Sequence, residues 1–207
     1  MTIQRFLATL AALLWLICSP TYASDDVAGM WSSQLRTKGG LGSQWVLSND
    51  GKATYTFGAL VDFRYEVKGN QITMTLLDSG QVATKEVSAD AFKIEGDTLT
   101  INPNEPNKKQ VMKRVGRQYP GTSPIVGEWT YKHYTGGPAY MRYSRAGIVE
   151  LSVPFQSLPG KYRVSKDAIT FELQGQKPIN NKFHHENVFL TITDSGGKDS
   201  KFTRFDY

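Results

Sequence analysis

Apolar and polar side chains alternate with a period of two along most of the chain. The alternation is clearest in residues 63–67, 72–76, 169–173 and 188–192. Because successive side chains of a strand point to opposite faces of a sheet, this pattern predicts strands with one buried and one solvated face, which is typical of antiparallel sheets. No segment after residue 24 shows a convincing helical period, although residues 88–92 could form a single helical turn.

Short turn motifs separate the predicted strands, as with Asn-Asp-Gly at 49–51, Lys-Gly-Asn at 68–70 and Ser-Gly-Gly at 195–197. Such links predict hairpins, and the fold class is therefore all-β, an antiparallel up-and-down meander. In the first half of the chain, strands are predicted near residues 30–36, 43–48, 53–58, 61–68, 71–77, 82–87, 91–101 and 109–115, and the segment 91–101 could contain two strands. Residues 102–109 are polar and contain two prolines, which predicts an exposed loop before the last of these strands.

Several landmarks of the first half recur in the same order in the second half. The motif Gly29-x-Trp31 recurs as Gly127-x-Trp129, Tyr65 as Tyr162, Leu-Thr-Ile at 99–101 as 190–192, and Arg114 as Arg204. This order predicts two tandem copies of one β-module. Residues 117–124 contain two prolines and a glycine without alternation, so they are predicted to link a first domain, 24–116, to a second domain, 125–207.

An alternative arrangement joins the two copies in one continuous sheet, with each copy forming only half of a closed unit. The two sets of aromatic residues would then face each other across a shared interface. These sets are Trp45, Tyr55 and Phe57 on one side, and Tyr140, Tyr143 and Phe155 on the other.

A G-x-W motif on the first strand of a meander, with an arginine on the last strand, resembles the lipocalin or calycin pattern. The resemblance implies a small β-barrel in which the tryptophan closes one end and the arginine lies across its indole ring. Applied to each copy separately, the resemblance pairs Trp31 with Arg114 in the first copy and Trp129 with Arg204 in the second, as structural plugs of the barrels. Such a contact combines a large buried apolar surface with a cation–π interaction of roughly 0.5 to 2 kcal/mol.

The first residues have the pattern of a Sec-type signal peptide. Arg5 precedes an apolar run at 6–17, and Thr21-Tyr22-Ala23 is a small-residue cleavage pattern. We expect cleavage after Ala23, which makes residues 1–23 the signal peptide and the remainder a periplasmic or secreted protein. Since the run is shorter than the ~20 apolar residues of a spanning helix, we expect a mature protein that does not span the membrane. The alternative is an uncleaved anchor or a buried helix at 6–17.

Composition narrows the classes of function. Cys18 is the only cysteine, so cleavage would leave no disulfide, catalytic thiol or cysteine-ligated metal. The formal net charge is +5, but the positive residues are spread along the chain, and no nucleic-acid partner is predicted.

Sequence signatures of catalysis are missing. The chain has no G-x-S-x-G elbow, no phosphate-binding glycine loop and no H-E-x-x-H motif. His184 and His185 should point to opposite faces of a strand, so they should not share one metal ion, and a solvated hairpin is the preferred interpretation. The alternative is a site of two His and one carboxylate, which requires His133 to approach from the first strand of the same copy. Glu66, Glu150 and Glu172 alternate with apolar neighbours and should face solvent. The chain is therefore predicted to be neither an enzyme nor a cofactor-binding protein.

Two glycine-rich connections occupy equivalent places after the first strand of each copy, at residues 38–42 and 135–138. In lipocalin-like barrels this connection lies over the open end. A mobile lid with Leu41 at its tip is one interpretation of the first connection, and a plain flexible hairpin is the other.

The aromatic residues suggest a ligand. If a cavity exists inside the barrels, its walls would be apolar with a few polar groups. The predicted ligand-binding residues are Trp45, Tyr55, Phe57, Tyr65, Tyr140, Tyr162 and Phe171. The leading hypothesis is thus a non-catalytic exported binding protein for a small apolar or amphipathic ligand. The alternative is a cell-envelope module with solid barrels whose surfaces bind another protein or a polysaccharide.

Overall fold

The structure, a computed structural model, describes residues 27–77, 83–134, 136–205 and 207, and for 83–87 it describes the backbone. The predicted signal peptide and Cys18 lie outside this part of the chain. The described residues form fourteen β-strands and no helix, so none of them belongs to a helix that could cross a membrane. The strands are β1 Gly29–Ser33, β2 Leu41–Leu47, β3 Lys52–Lys68, β4 Gln71–Leu77, β5 Ala83–Glu95, β6 Thr98–Ile101, β7 Gln110–Val115, β8 Gly127–Lys132, β9 Pro138–Tyr143, β10 Ile148–Ser165, β11 Ala168–Leu173, β12 Ile179–Glu186, β13 Phe189–Thr193 and β14 Asp199–Thr203.

Every pairing between these strands is antiparallel, and consecutive strands are neighbours from β1 to β14. The predicted all-β meander is therefore confirmed. Two further pairings give the sheet its shape, because β1 pairs with β14 and the long strands β3 and β10 pair with each other. The pairing of β1 with β14 closes the series of neighbouring strands into a ring. The pairing of β3 with β10 divides this ring into two smaller closed rings of strands, called circuits, in a β-barrel-like arrangement.

Each circuit encloses its own hydrophobic core and is called a lobe below. Lobe 1 runs from the C-terminal half of β3 through β4–β9 to the N-terminal half of β10, around a core that includes Ile72, Leu99 and Trp129. Lobe 2 consists of the C-terminal half of β10, β11–β14, β1, β2 and the N-terminal half of β3. Its core includes Trp31 and Phe171. Both lobes thus combine strands from the two sides of the predicted linker at 117–124, which itself contains no strand.

The strands β3 and β10 are much longer than the sequence pattern indicates. Predicted strands 53–58 and 61–68 are one continuous strand, because Gly58 continues the ladder with β10 instead of starting a turn. A Cβ on Gly58 would lie 2.1 Å from the Val153 carbonyl oxygen, so only glycine allows the two backbones to approach this closely. The register shifts beside it, between Pro154 and Gln156, as in a β-bulge.

Two other local predictions have different outcomes. Residues 88–92 form no helical turn and belong to β5, where they pair with β4 and β6. Local propensity is overridden there by the ladder on both sides. The predicted loop at 102–109 is confirmed as the connection between β6 and β7.

Candidate functional site

Each lobe contains an arginine stacked on a buried tryptophan. The Arg114 guanidinium carbon lies 4.1 Å from the centroid of the Trp129 ring, and that of Arg204 lies 4.9 Å from the Trp31 ring. Both tryptophans are completely buried. The pairing expected from the resemblance, Trp31 with Arg114 and Trp129 with Arg204, is wrong. The tryptophan strand of each half lies beside the arginine strand of the other half, since β7 pairs with β8 and β14 pairs with β1.

Four of the predicted ligand-binding aromatics pack together inside lobe 2. Trp45 stacks on Phe171 with ring centroids 3.9 Å apart, and it also contacts Tyr55 at 4.8 Å. Tyr162 belongs to the same core cluster. These side chains fill the space between the sheet walls, so they act as packing residues and line neither of the two cavities described below.

The other three predicted ligand-binding residues are dispersed. Tyr65 packs in lobe 1, where its ring meets Tyr143 edge to face at 5.1 Å and its hydroxyl donates to the Ser144 carbonyl. Tyr140 is partly buried on β9 and Phe57 is partly exposed on β3. The hydrogen bonding does form one continuous sheet. The two aromatic sets of the joint-sheet alternative nevertheless do not meet as sets, because Trp45 and Tyr55 pack in the core of lobe 2 and Tyr143 packs in the core of lobe 1.

A buried polar cluster lies where the outer faces of the two lobes meet. We call it the polar junction, and its residues are Ser32, Gln44, Arg142, Glu150 and Ser152. Glu150 accepts hydrogen bonds from Ser32 Oγ at 2.8 Å, Arg142 Nη2 at 2.5 Å and Gln44 Nε2 at 3.3 Å. The Ser152 hydroxyl donates to the Gln44 side chain at 3.0 Å.

The expectation that Glu150 faces solvent is wrong, since its side chain is 1 % exposed. It does point to the outer face of its own sheet, as the alternation requires, but lobe 2 covers that face. Burial of a carboxylate is costly unless it is paired and hydrogen bonded. The guanidinium of Arg142, also 1 % exposed, provides the compensating charge.

A second carboxyl group lies close to the junction. Glu128 on β8 accepts a hydrogen bond from the Tyr207 hydroxyl at 3.0 Å. Burial raises the pKa of Glu128, an effect that the nearby positive charge of Arg142 partly opposes. Burial also raises the pKa of the Tyr207 hydroxyl, and the Glu128 charge adds to that rise. Tyr207 in turn stacks on Tyr119 with centroids 4.7 Å apart, so Tyr207 also contacts the segment between β7 and β8.

Arg36 connects the junction to an open cleft. Its guanidinium binds Glu150 at 2.6 Å and Asp62 at 3.0 Å, and it donates to the Leu60 carbonyl at 3.2 Å. The side chain is 21 % exposed. It therefore has one face on the buried network and the other on the solvent-accessible space between the lobes.

This space, which we call the inter-lobe cleft, has a volume of about 970 Å³. It is bounded by the β1–β2 connection of lobe 2, the middle of β3, the end of β4 in lobe 1, and Thr203 of β14. Its apolar wall consists of Leu35, Leu60, Val61, Leu76 and Leu77, and its polar wall of Ser33, Gln34, Arg36, Thr37, Lys38, Asp62 and Thr203. The volume lies at the upper end of the range typical of small-molecule sites, about 300 to 1,000 Å³.

The glycine-rich connection predicted as a lid forms one edge of the cleft. Leu41 is not at its tip, because it is the first residue of β2 and accepts a hydrogen bond from Thr37 N. A second bond, from Gly40 N to the Thr37 carbonyl, closes the turn, and Gly40 O anchors it to Leu60 N at 2.8 Å. The exposed apolar side chain of the β1–β2 connection is Leu35, at 86 %, which lies before the glycine-rich part.

The histidines are arranged as the strand geometry predicts. His184 is exposed on the outer face of β12, whereas His185 points inward and meets the Trp31 ring edge to face at 5.4 Å. Across the described ranges, no three His, Cys, Asp or Glu side chains are grouped closely enough to hold a metal ion.

Sequence reasoning missed the residues that build the junction and the cleft. Arg142 offered a signal, because it stands between Met141 and Tyr143 in an otherwise apolar and aromatic strand, where an unpaired charge would be unfavourable. Arg36 and Leu35 offered none, since both lie in a connection whose partners are distant in sequence.

Comparisons with known proteins do not identify the chain, because no protein-family model, curated protein or solved structure matches it.

Proposed function

We propose that the protein binds a small amphipathic molecule in the inter-lobe cleft without converting it chemically. The observation that carries the proposal is the division of the cleft into an apolar wall, formed mainly by leucines, and a polar wall with the cations Arg36 and Lys38. An amphipathic molecule would cover the apolar wall and keep hydrogen bonds to the polar one, which is how small-molecule sites combine affinity with orientation.

The site proposed here differs from the one that a lipocalin-like barrel would offer. The interiors of both lobes are occupied by their own side chains, among them the stacked pair Trp45 and Phe171. We propose that the lobes are two small lipocalin-like barrels, with the tryptophan–arginine contacts as support, and that they hold the cleft between them. Their solid cores also favour the second candidate, a cell-envelope module that binds a protein or polysaccharide on its surface.

Export is part of the proposal. The apolar run at 6–17 and the pattern ending at Ala23 support a periplasmic or secreted location. Protein recovered from outside the cytoplasm should begin at Ser24, as measured by intact-mass spectrometry. An N-terminus at Met1 would contradict the export proposal without affecting the binding proposal.

The binding proposal is tested with the fluorescent amphiphile 1-anilinonaphthalene-8-sulfonate. The protein should bind one molecule saturably, and decanoate should displace it. Gly39→Trp places an indole at the edge of the cleft, where a Cβ meets only Thr37 Oγ1 at 3.9 Å. The affinity should then fall by about tenfold or more, equivalent to ~1.4 kcal/mol.

Gly137→Trp is the matched control. Gly137 lies in the β8–β9 connection, and a Cβ there meets nothing within 4 Å. This variant should bind the probe like the unmodified protein, and both variants should keep their thermal midpoints. Absence of saturable binding, or an equal loss in the two variants, would refute the cleft as the site.

A further inference from the structure

A second concave site lies beside the inter-lobe cleft, on the outer face of lobe 2. We call it the side pocket, and its volume is about 340 Å³. It is lined by Gln34, His184, Glu186, Phe189, Leu190, Thr191, Lys201 and Phe202. The outward-facing side chains among them, such as His184, Phe189 and Lys201, belong neither to a hydrophobic core nor to the polar junction.

Strand register orders these side chains into two rows. His184, Thr191 and Lys201 are direct neighbours across β12, β13 and β14, and so are Glu186, Phe189 and Thr203. Since adjacent strands are about 4.8 Å apart, each row is roughly 10 Å long. That length matches one or two sugar rings.

The side pocket lies next to the cleft. Gln34 lines both, and its backbone NH is hydrogen bonded to the Lys201 carbonyl at 2.9 Å. Thr203 lines the cleft, and it is also the last residue of the row that starts with Glu186 and Phe189 in the side pocket. A molecule longer than the cleft would therefore extend over Gln34 into the side pocket.

The chemistry of the side pocket differs from that of the cleft. The formal charges of Glu186 and Lys201 cancel, and the Glu186 carboxylate also lies 3.9 Å from His184 Nε2. Thr191 and Gln34 can both donate and accept hydrogen bonds. The Phe189 ring is 52 % exposed, which gives one flat apolar surface among the polar groups.

We propose that the side pocket binds the head group of the amphiphile held in the cleft, and that this head group is a neutral polyhydroxylated ring of the sugar class. Sugar hydroxyls donate and accept in turn, as the mixed polar groups require, and the CH face of the ring can cover Phe189. An anionic or cationic head group would face one like charge and gain no net attraction from the balanced pair. This inference rests on the proposed function, because the tail must occupy the cleft.

The experiment measures displacement of 1-anilinonaphthalene-8-sulfonate by three amphiphiles with the same ten-carbon tail, below their micelle-forming concentrations. They are n-decyl β-D-maltoside, decanoate and decyltrimethylammonium. The maltoside should compete about tenfold or more better than either charged amphiphile. Phe189→Ala should remove most of this preference and leave competition by decanoate within twofold of the unmodified protein. Glu186→Gln leaves Lys201 without its balancing charge, so it should reduce the preference by strengthening competition by decanoate.

Matched controls use residues of the same type elsewhere on the surface. Phe155→Ala removes a ring that is 64 % exposed on β10, and Glu95→Gln changes an exposed carboxylate on β5. Both should keep the preference for the maltoside.

The outcomes separate the two proposals. Equal competition by all three amphiphiles would overturn the head-group inference and leave the cleft as a binding site. The inference also fails if Phe189→Ala weakens all three competitors alike. No displacement by any amphiphile would overturn both the inference and the proposed function.

Discussion

Arg114→Ala tests how the lobes are built. In the structure the guanidinium of Arg114 is fully buried against Trp129 of the other half of the chain. It donates to the Val126 carbonyl at 3.1 Å and to the Pro124 carbonyl at 2.7 Å. Truncation to alanine removes all three contacts together.

The magnitude follows from those contacts. A desolvated cation–π contact is worth about 2 kcal/mol, and the buried Val126 carbonyl left without its donor costs about 1 to 3 kcal/mol. Pro124 is exposed, so water can replace the second donor, and the ion pair with the exposed Asp97 contributes little. The free energy of unfolding should therefore fall by about 3 to 5 kcal/mol, and the thermal midpoint by roughly 10 °C.

Arg204→Ala should cost less. Its guanidinium is farther from its ring, at 4.9 Å, and it makes a longer bond of 3.3 Å to the Ala28 carbonyl. Urea unfolding followed by circular dichroism measures both differences. A larger loss for Arg204→Ala would contradict the geometric reasoning.

A double-mutant cycle identifies the ring that Arg114 contacts. Combining Arg114→Ala with Trp129→Phe should give a coupling energy of about 1 kcal/mol, because both changes act on one contact. The combination with Trp31→Phe should be additive to within about 0.5 kcal/mol. Coupling to Trp31 instead of Trp129 would refute the exchange of strands between the two halves.

Three further variants address the junction and the long strands. Glu150→Gln leaves the buried Arg142 charge without its counter-ion, so thermal unfolding should show a loss of about 3 to 5 kcal/mol; a neutral effect would mean that water reaches the site. Glu128→Gln tests a carboxyl whose pKa is raised in the folded state: stability should fall as the pH rises from the ordinary carboxyl pKa through the raised one, because the folded state binds the proton more tightly. The variant should lack that part of the pH dependence in melts across pH 4 to 8, and an unchanged slope would contradict the assignment. Gly58→Ala should reduce the yield of folded protein or lower its midpoint sharply, since its Cβ would lie 2.1 Å from the Val153 carbonyl oxygen; an unchanged midpoint would argue against the close approach.

Much of the local structure was predictable from the alternation. Period-two patterns near residues 72–76 and 169–173 correspond to β4 and β11, because the direction of a side chain in a strand depends only on its position. The merging of 53–58 with 61–68 into β3 was not predictable in this way. Its cause is the ladder with β10, a partner that is about a hundred residues away in sequence.

The candidate site was much less predictable than the strands. The aromatic residues chosen for a barrel interior, such as Trp45 and Phe171, are buried as apolar residues tend to be, but they pack on each other. Leu35 and Lys38 line the cleft only because the β1–β2 connection of lobe 2 lies against β3 and β4 of lobe 1. No local pattern records that contact.

The sequence by itself determined the all-β class, most of the strands and their two faces, and the resemblance singled out the residues that form the tryptophan–arginine contacts. Only the tertiary structure decided which tryptophan meets which arginine, and that the outer face carrying Glu150 is covered by the other lobe. The physical reason is that alternation encodes the direction of a side chain relative to its own sheet. Which other part of the chain covers that face depends on how strands that are distant in sequence pair with each other.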